Sequence, residues 1–302
     1  VADRARVEAP AKANLFLHVL AREESGFHAL ETLFVALALA DGVEVRRVAA
    51  AGIALTVSGG VDIGPPERNL AVRAAERFHA ALGSPPALAI SLEKRIPAAA
   101  GLGGGSSDAA AVLRALNAMH GEPFARAELL RMAIELGSDV PFFVCGSPFA
   151  LAWGRGERLL ALPPLSPRAV LVAHPGVAMS TADAFARLAD RRRGETAPRA
   201  SSLELAELGA WPFLAERAAN DFEPVAVEAI PALAAVGREM RAHGAEIALL
   251  AGSGASYVGL FADPDARDAA GDAVAALGMR VWRTETRTSE PPVRLDSAED
   301  GG

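Results

Sequence analysis

The chain has 302 residues, of which 51% are hydrophobic and 22% charged, with a formal net charge of −7. This length buries one large core or two medium ones, and this balance excludes a disordered chain. The negative charge excludes a general nucleic-acid binder, which needs a basic face, and the single cysteine, Cys145, excludes an internal disulfide framework.

Val1-Ala2-Asp3-Arg4-Ala5-Arg6 carries no apolar signal core, and the longest apolar stretch, Leu33 to Ala40, is too short for a bilayer. The expectation is a soluble cytoplasmic protein with no membrane partner. Cys145 follows Phe142-Phe143-Val144, a context that reads as a buried thiol rather than a nucleophile. Arg191-Arg192-Arg193 is flanked by Asp190 and Glu195 and reads as a solvated loop.

In chain order, Val7 to Leu20 reads as a strand with Lys12, Asn14 and His18 interspersed, broken at Gly26-Phe27-His28. Leu30 to Leu39 is a mixed apolar segment, and Val43 to Arg46 and Ile53 to Val57 are strands around a turn at Gly52. Asn69 to Leu82 is helical, closed by Gly83-Ser84-Pro85-Pro86. Leu88, Ile90 and Leu92 alternate with smaller or polar residues, the period of a half-buried strand. Ala109, Val112, Leu113 and Leu116 mark a helix, as do Leu129, Met132, Ala133 and Leu136 before Gly137. Ser138-Asp139-Val140-Pro141 has the cap residue and early proline of a new helix start.

Strands return at Ala169 to Ala173, before His174-Pro175-Gly176, and at Ile247 to Ala251 and Tyr257 to Phe261 around the turn Gly252-Ser253-Gly254. Residues 190–202 read as a mobile surface connection, Asp265 to Leu277 as a helix and Arg280 to Trp282 as a short strand. From Thr286 onward a frayed tail is expected. The mixture fits α+β better than a regular βαβ alternation.

Pro97-Ala98-Ala99-Ala100-Gly101-Leu102-Gly103-Gly104-Gly105-Ser106-Ser107, set between a strand and a helix, has the makings of an anion site. Glycines let backbone N–H groups approach phosphate oxygens, and the following helix directs its positive end at them. A Walker A loop needs a lysine, and none occurs between Ile96 and Arg114. A dinucleotide fingerprint needs a third glycine where Ser106 stands.

This segment resembles the central ATP-binding motif of the galactokinase, homoserine kinase, mevalonate kinase and phosphomevalonate kinase (GHMP) superfamily. Pro10-Ala11-Lys12-Ala13-Asn14-Leu15-Phe16-Leu17 is similar to the opening motif of its 4-diphosphocytidyl-2-C-methyl-D-erythritol kinase branch. Gly26-Phe27-His28, Gly137-Ser138-Asp139-Val140-Pro141, His174-Pro175-Gly176, Asn220-Asp221-Phe222-Glu223-Pro224-Val225 and Gly252-Ser253-Gly254-Ala255-Ser256 extend the likeness from near residue 7 to about 285. Two departures stand out: Phe27 where that branch usually has tyrosine, and Ala251 where serine often precedes the third motif.

The resemblance implies a two-lobed α+β fold, with a ribosomal protein S5 domain 2-like lobe over 1–155, a ferredoxin-like lobe over 156–285 and a disordered tail over 286–302. It implies ATP-dependent phosphorylation of the 2-hydroxyl of 4-diphosphocytidyl-2-C-methyl-D-erythritol, with Mg2+ carried by the nucleotide rather than a dedicated metal site. Lys12 and Asp139 become the catalytic pair, and Pro97 to Ser107 the ATP cradle, with Ser106 or Ser107 on phosphate or metal. Asn14, Phe27, His28, Thr181, Phe185 and the Gly252-Ser253-Gly254 turn become substrate contacts, Phe27 and Phe185 sandwiching the cytosine.

By residue type alone, Asp139 is equally a helix cap, Lys12 a surface lysine, Phe185 a core residue beside Leu188 and His28 a loop histidine. The expected assembly is a monomer or weak homodimer. Rival readings are another GHMP kinase, acting on mevalonate or homoserine, and a non-catalytic nucleotide or metabolite sensor.

Overall fold

A computed structural model describes residues 2–22, 28–60, 64–193 and 203–296. The chain starts with two long antiparallel strands, β1 (Arg4–Arg22) and β2 (His28–Arg47). Leu30 to Leu39 and Val43 to Arg46, read as separate segments from the sequence, lie in one strand that runs through Asp41-Gly42. Asp41 is fully buried there, and its carboxylate accepts from the N–H groups of Arg95 and Ile96 at 2.6 and 2.8 Å. A residue that looks like a turn former is thus satisfied inside a strand.

The register of β1 on β2 shifts between Pro10 and Lys12. Proline has no N–H to offer the ladder, and a bulge at such a point re-aims the chain. The Lys12 N–H accordingly turns away and donates to the Leu102 carbonyl at 2.9 Å. Beyond the bulge, Ala11, Ala13 and Leu15 face an apolar core, so the alternate residues Lys12 and Asn14 face the other way.

Strand β3 (Gly52–Ser58) leads through α1 (Leu70–Leu82) to the parallel strand β4 (Ala87–Glu93). Asn69 caps α1 by accepting from the Ala71 N–H, and Gly83 ends it in the left-handed region. Next come α2 (Gly104–Met119), α3 (Arg126–Leu136) and the hairpin β5 (Phe149–Gly154) with β6 (Arg158–Ala161). The first sheet therefore continues past the boundary expected at 155. Phe78, Leu113, Leu116 and Met132 from the three helices pack on Val7, Val45 and Ile90 to form one core.

The second lobe contains β7 (Ala169–His174), α4 (Thr181–Arg191), α5 (Trp211–Arg217), the short β8 (Ala219–Asn220), α6 (Glu223–Ala229) and α7 (Ala232–Ala242). It continues with β9 (Ile247–Leu250), β10 (Tyr257–Phe261), α8 (Pro264–Ala276) and β11 (Arg280–Glu285). Its antiparallel sheet has the order β11-β7-β10-β9, the ferredoxin-like arrangement the resemblance implied. One face packs on α4, α6, α7 and α8; the other meets Leu15, Phe16 and Leu33 of the first sheet, so an apolar core joins the lobes.

The tail is corrected for residues 286–296. Thr286 is buried and bridges to Leu37, and β12 (Arg294–Asp296) pairs with β1. Arg287 reaches Glu8, and Arg6 reaches Asp296, so charge pairs hold a segment whose composition alone suggested fraying. Of the connection expected over 190–202, residues 194–202 lie outside the described residues, as do 297–302 of the tail. Among the described residues, no helix is long and apolar enough to cross a membrane. Cys145 is buried and its thiol is pushed up by burial, in keeping with a packing role.

Candidate active site

The glycine loop leaves the first sheet at Lys94 and enters α2 at Gly104, following the strand–loop–helix order of the sequence. It lines a cavity of about 360 Å³, together with Arg68, Asn69, Leu70, Lys94 and Asp108. The first N–H groups of a long helix have no partner within the helix, and those of α2 open toward this cavity. Gly101 has a φ of +77°, and a Cβ there would stand 1.9 Å from the Ala251 carbonyl oxygen. Only glycine lets the loop lie this close to the third motif. The exchange at Ala251 leaves that contact intact, because it is made by backbone.

A polar cluster that no local motif announces lies beneath the loop. Lys94 donates to Asp41 and, at 2.5 Å, to Asp108, all three being buried. Asp41 thereby ties β2 to the loop's first residues, and Lys94 ties those to the first turns of α2. Burial raises the Asp108 carboxyl to about 7, opposed by Lys94 and assisted by neighbouring Asp41. Burial acts to lower Lys94, yet the two carboxylates outweigh it and hold the ammonium above its ordinary value. Asp108 Oδ1 and Ser107 Oγ are buried without a hydrogen-bond partner, whereas Ser106 lines the cavity directly.

Along the loop from the cavity lies Lys12. It is only 3% exposed, which overturns the surface-lysine alternative. Its Nζ donates to Asn14 Oδ1 at 2.9 Å, lies 3.8 Å from Asp139 Oδ2 and sits 5.3 Å from the Phe34 ring centroid. A Cβ on Gly103 would come 3.1 Å from Lys12 Cγ, so loop and lysine are packed together. Burial lowers the lysine's pKa, and Asp139 opposes it.

Asp139 precedes a short 3-10 turn, Val140–Phe143, rather than the longer helix suggested by Ser138-Asp139-Val140-Pro141. Its side chain makes no cap hydrogen bond, so the cap alternative fails and the carboxylate is left facing Lys12.

Asn14 is held from both sides. Its Oδ1 also accepts from the Gly252 N–H at 2.9 Å, and its Nδ2 donates to Thr32 Oγ1 at 2.7 Å. The turn Gly252-Ser253-Gly254 thus rests against Lys12 and Asn14. Ser253 meets Thr181, at the start of α4, with 3.0 Å between hydroxyl oxygens. Phe185 is one turn further along that helix and presents its ring edge-to-face to Phe222 at 4.8 Å. One side of its ring is therefore committed to the second core, as the core alternative required. Phe27 and the His28 side chain lie outside the described residues.

A family model described as GHMP kinases N terminal domain matches residues 69–147, and one described as GHMP kinases C terminal matches 203–278. The 4-diphosphocytidyl-2-C-methyl-D-erythritol kinase of Anaeromyxobacter dehalogenans is 44% identical, covering 96% of this chain and 97% of its own. That of Pelotomaculum thermopropionicum is 41% identical, covering 84% of this chain and 88% of its own. A crystal structure of 4-(cytidine 5'-diphospho)-2C-methyl-D-erythritol kinase superposes with a TM-score of 0.76 at 37% identity, over 93% of this chain and 98% of that one. Homoserine kinase from Cytophaga hutchinsonii, at 22% identity and a TM-score of 0.73 over 97% and 98%, shares the fold. The chain belongs to the 4-diphosphocytidyl-2-C-methyl-D-erythritol kinase family of the GHMP kinases.

Proposed function

We propose that this protein transfers the γ-phosphoryl group of ATP to the 2-hydroxyl of 4-diphosphocytidyl-2-C-methyl-D-erythritol, forming the 2-phosphate and ADP in the non-mevalonate route to isoprenoid precursors. The observation that carries this reading is the buried Lys12, facing Asp139 and packed against the glycine loop. Phosphoryl transfer requires in-line positioning, charge neutralisation and a proton acceptor more than covalent chemistry by the protein.

The loop N–H groups and the start of α2 face the triphosphate. Lys12 stabilises charge on the transferring group, and Asp139 takes the proton of the attacking hydroxyl as the new O–P bond forms and the bond to ADP breaks. Magnesium bound with the nucleotide would supply neutralisation of phosphate charge. Ser106 and Asp108 line the cavity, and the unpartnered oxygens of Ser107 and Asp108 would suit a hard cation. Thr181, Ser253 and Phe185 receive the cytidine diphosphate end, together with Phe27 and His28. The buried Cys145 fits a reducing cytoplasm.

The test is ADP release by purified protein with ATP-Mg2+ and a panel of alcohols. Turnover with the cytidine diphosphate substrate is expected. Turnover only with mevalonate or homoserine overturns the substrate assignment, and nucleotide binding without any turnover turns the reading toward a sensor.

A further inference from the structure

The motif Asn220-Asp221-Phe222-Glu223 lies in the second lobe, and all its polar side chains are engaged inside the protein. Asp221 Oδ2 accepts from the Val19 N–H at 2.7 Å and pairs with Arg192. Glu223 accepts from the Leu250 N–H at 3.2 Å and the Tyr257 hydroxyl at 2.7 Å. Asn220 is 6% exposed. Its Nδ2 donates to the carbonyls of Leu250 and Gly252 at 2.7 and 2.8 Å, and its Oδ1 accepts from the Phe222 N–H at 2.9 Å. Both amide hydrogens and the oxygen are engaged, so this side chain is not arranged for a ligand.

We propose that Asn220 is a positioning residue for phosphoryl transfer, holding the Lys12 ammonium in place through Gly252 and Asn14. The proposal rests on the role given to Lys12 above. Asn220 grips the two carbonyls that flank Ala251, where β9 passes into the glycine turn. From that turn the Gly252 N–H donates to Asn14 Oδ1, which also accepts from Lys12 Nζ.

Neither amide can be reversed. Flipping Asn14 would set its NH2 against an ammonium and an N–H, and flipping Asn220 would set its oxygen against two carbonyls. The relay is short and tight: a Cβ on Gly252 would lie 3.2 Å from Lys12 Nζ. Asn14 Oδ1 at 2.9 Å is nearer to that ammonium than Asp139 at 3.8 Å. A shift of the turn therefore alters the closest acceptor of a buried charge. Through this relay the second lobe sets the state of a first-lobe lysine.

The experiment measures kcat, KM and the pH profile of kcat for Asn220→Ala and Asn220→Ser, with Glu223→Gln as the structural comparison. Asn220→Ala should lower kcat about tenfold or more and change KM by less, with the alkaline limb moving to lower pH as Lys12 loses hold of its proton. Asn220→Ser, which keeps one donor, should recover part of both effects. It also carries the test if the alanine variant does not fold. Glu223→Gln should lower the thermal midpoint without moving that limb.

In an Asn14→Ala background, adding Asn220→Ala should change kcat by less than about twofold, because both act on one relay. An unmoved alkaline limb, a KM effect larger than the kcat effect, or the full extra loss in the Asn14→Ala background overturns the proposal. Absence of turnover in the unmodified protein overturns instead the function on which it rests.

Discussion

Two lysines of the first lobe are equally hidden, Lys12 and Lys94 each having a side chain 4% exposed. Their surroundings push them in opposite directions. Lys94 is shared by two buried carboxylates, which hold its proton firmly. Lys12 has a neutral amide at 2.9 Å and one carboxylate at 3.8 Å that is about one-third exposed, and burial lowers its pKa. Burial alone therefore does not make a lysine reactive; the number and openness of its acidic partners decide. Lys94 fastens the two ends of the glycine loop. Lys12 keeps an ammonium close to that loop, where the proposed reaction would use it.

The contrast is broken most forcefully at Lys94. Lys94→Met leaves two carboxylates buried without their shared cation, and a loss of about 3–5 kcal/mol in denaturant unfolding is expected. Lys12→Met should lower kcat by about 10²–10³-fold, as removal of a charge-stabilising donor does, with little loss of thermal stability because Asp139 remains partly solvated. Equal destabilisation by the two variants would dissolve the distinction.

A smaller effect concerns Asp108, whose carboxyl burial raises from an ordinary 3.8 to about 7 in the folded chain. Between these values the folded chain keeps a proton that the unfolded chain has released, so this group makes stability fall as pH rises through the window and level off above it. Burial lowers the pKa of His79 and His120, which act in the opposite sense as pH falls. The readout is therefore the difference between the unmodified protein and Asp108→Asn, and a difference independent of pH would contradict the assignment. The smallest effect is expected at Phe185→Leu, which keeps apolar packing against Phe222 and removes the ring. Loss of part of a base-stacking contact, up to about 1–3 kcal/mol for a whole one, should raise the KM for the cytidine substrate and leave that for ATP.

The loop, its helix and the helix before it were legible because glycine placement, a 3.6-residue period and the Asn69 and Gly83 caps are local signals. Lys12 and Asp139 were singled out as a candidate pair only through the likeness of their motifs to a family, and the fold brings them to 3.8 Å. By pattern, Asp139 resembled a helix cap, and the missing cap hydrogen bond in the folded chain decides otherwise. The Asp41–Lys94–Asp108 cluster was not legible, since Asp41 and Lys94 lie 53 residues apart and meet only through strand pairing. The contacts that hold Asn14, from Thr32 and Gly252, were not legible either, since Gly252 lies in the other lobe. The ordered 286–296 segment was missed for a related reason: its partners, Glu8, Leu37 and Arg6, all lie near the other end of the chain.

The division of labour between the two lysine sites depends on Asp139 serving the reaction rather than the fold. Single-turnover phosphoryl transfer by Asp139→Asn, with both substrates saturating, tests this most directly. The expected result is a rate reduced by about 10²-fold or more with an unchanged thermal midpoint. A near-normal rate, or a loss of rate that follows a loss of folded protein, would contradict it.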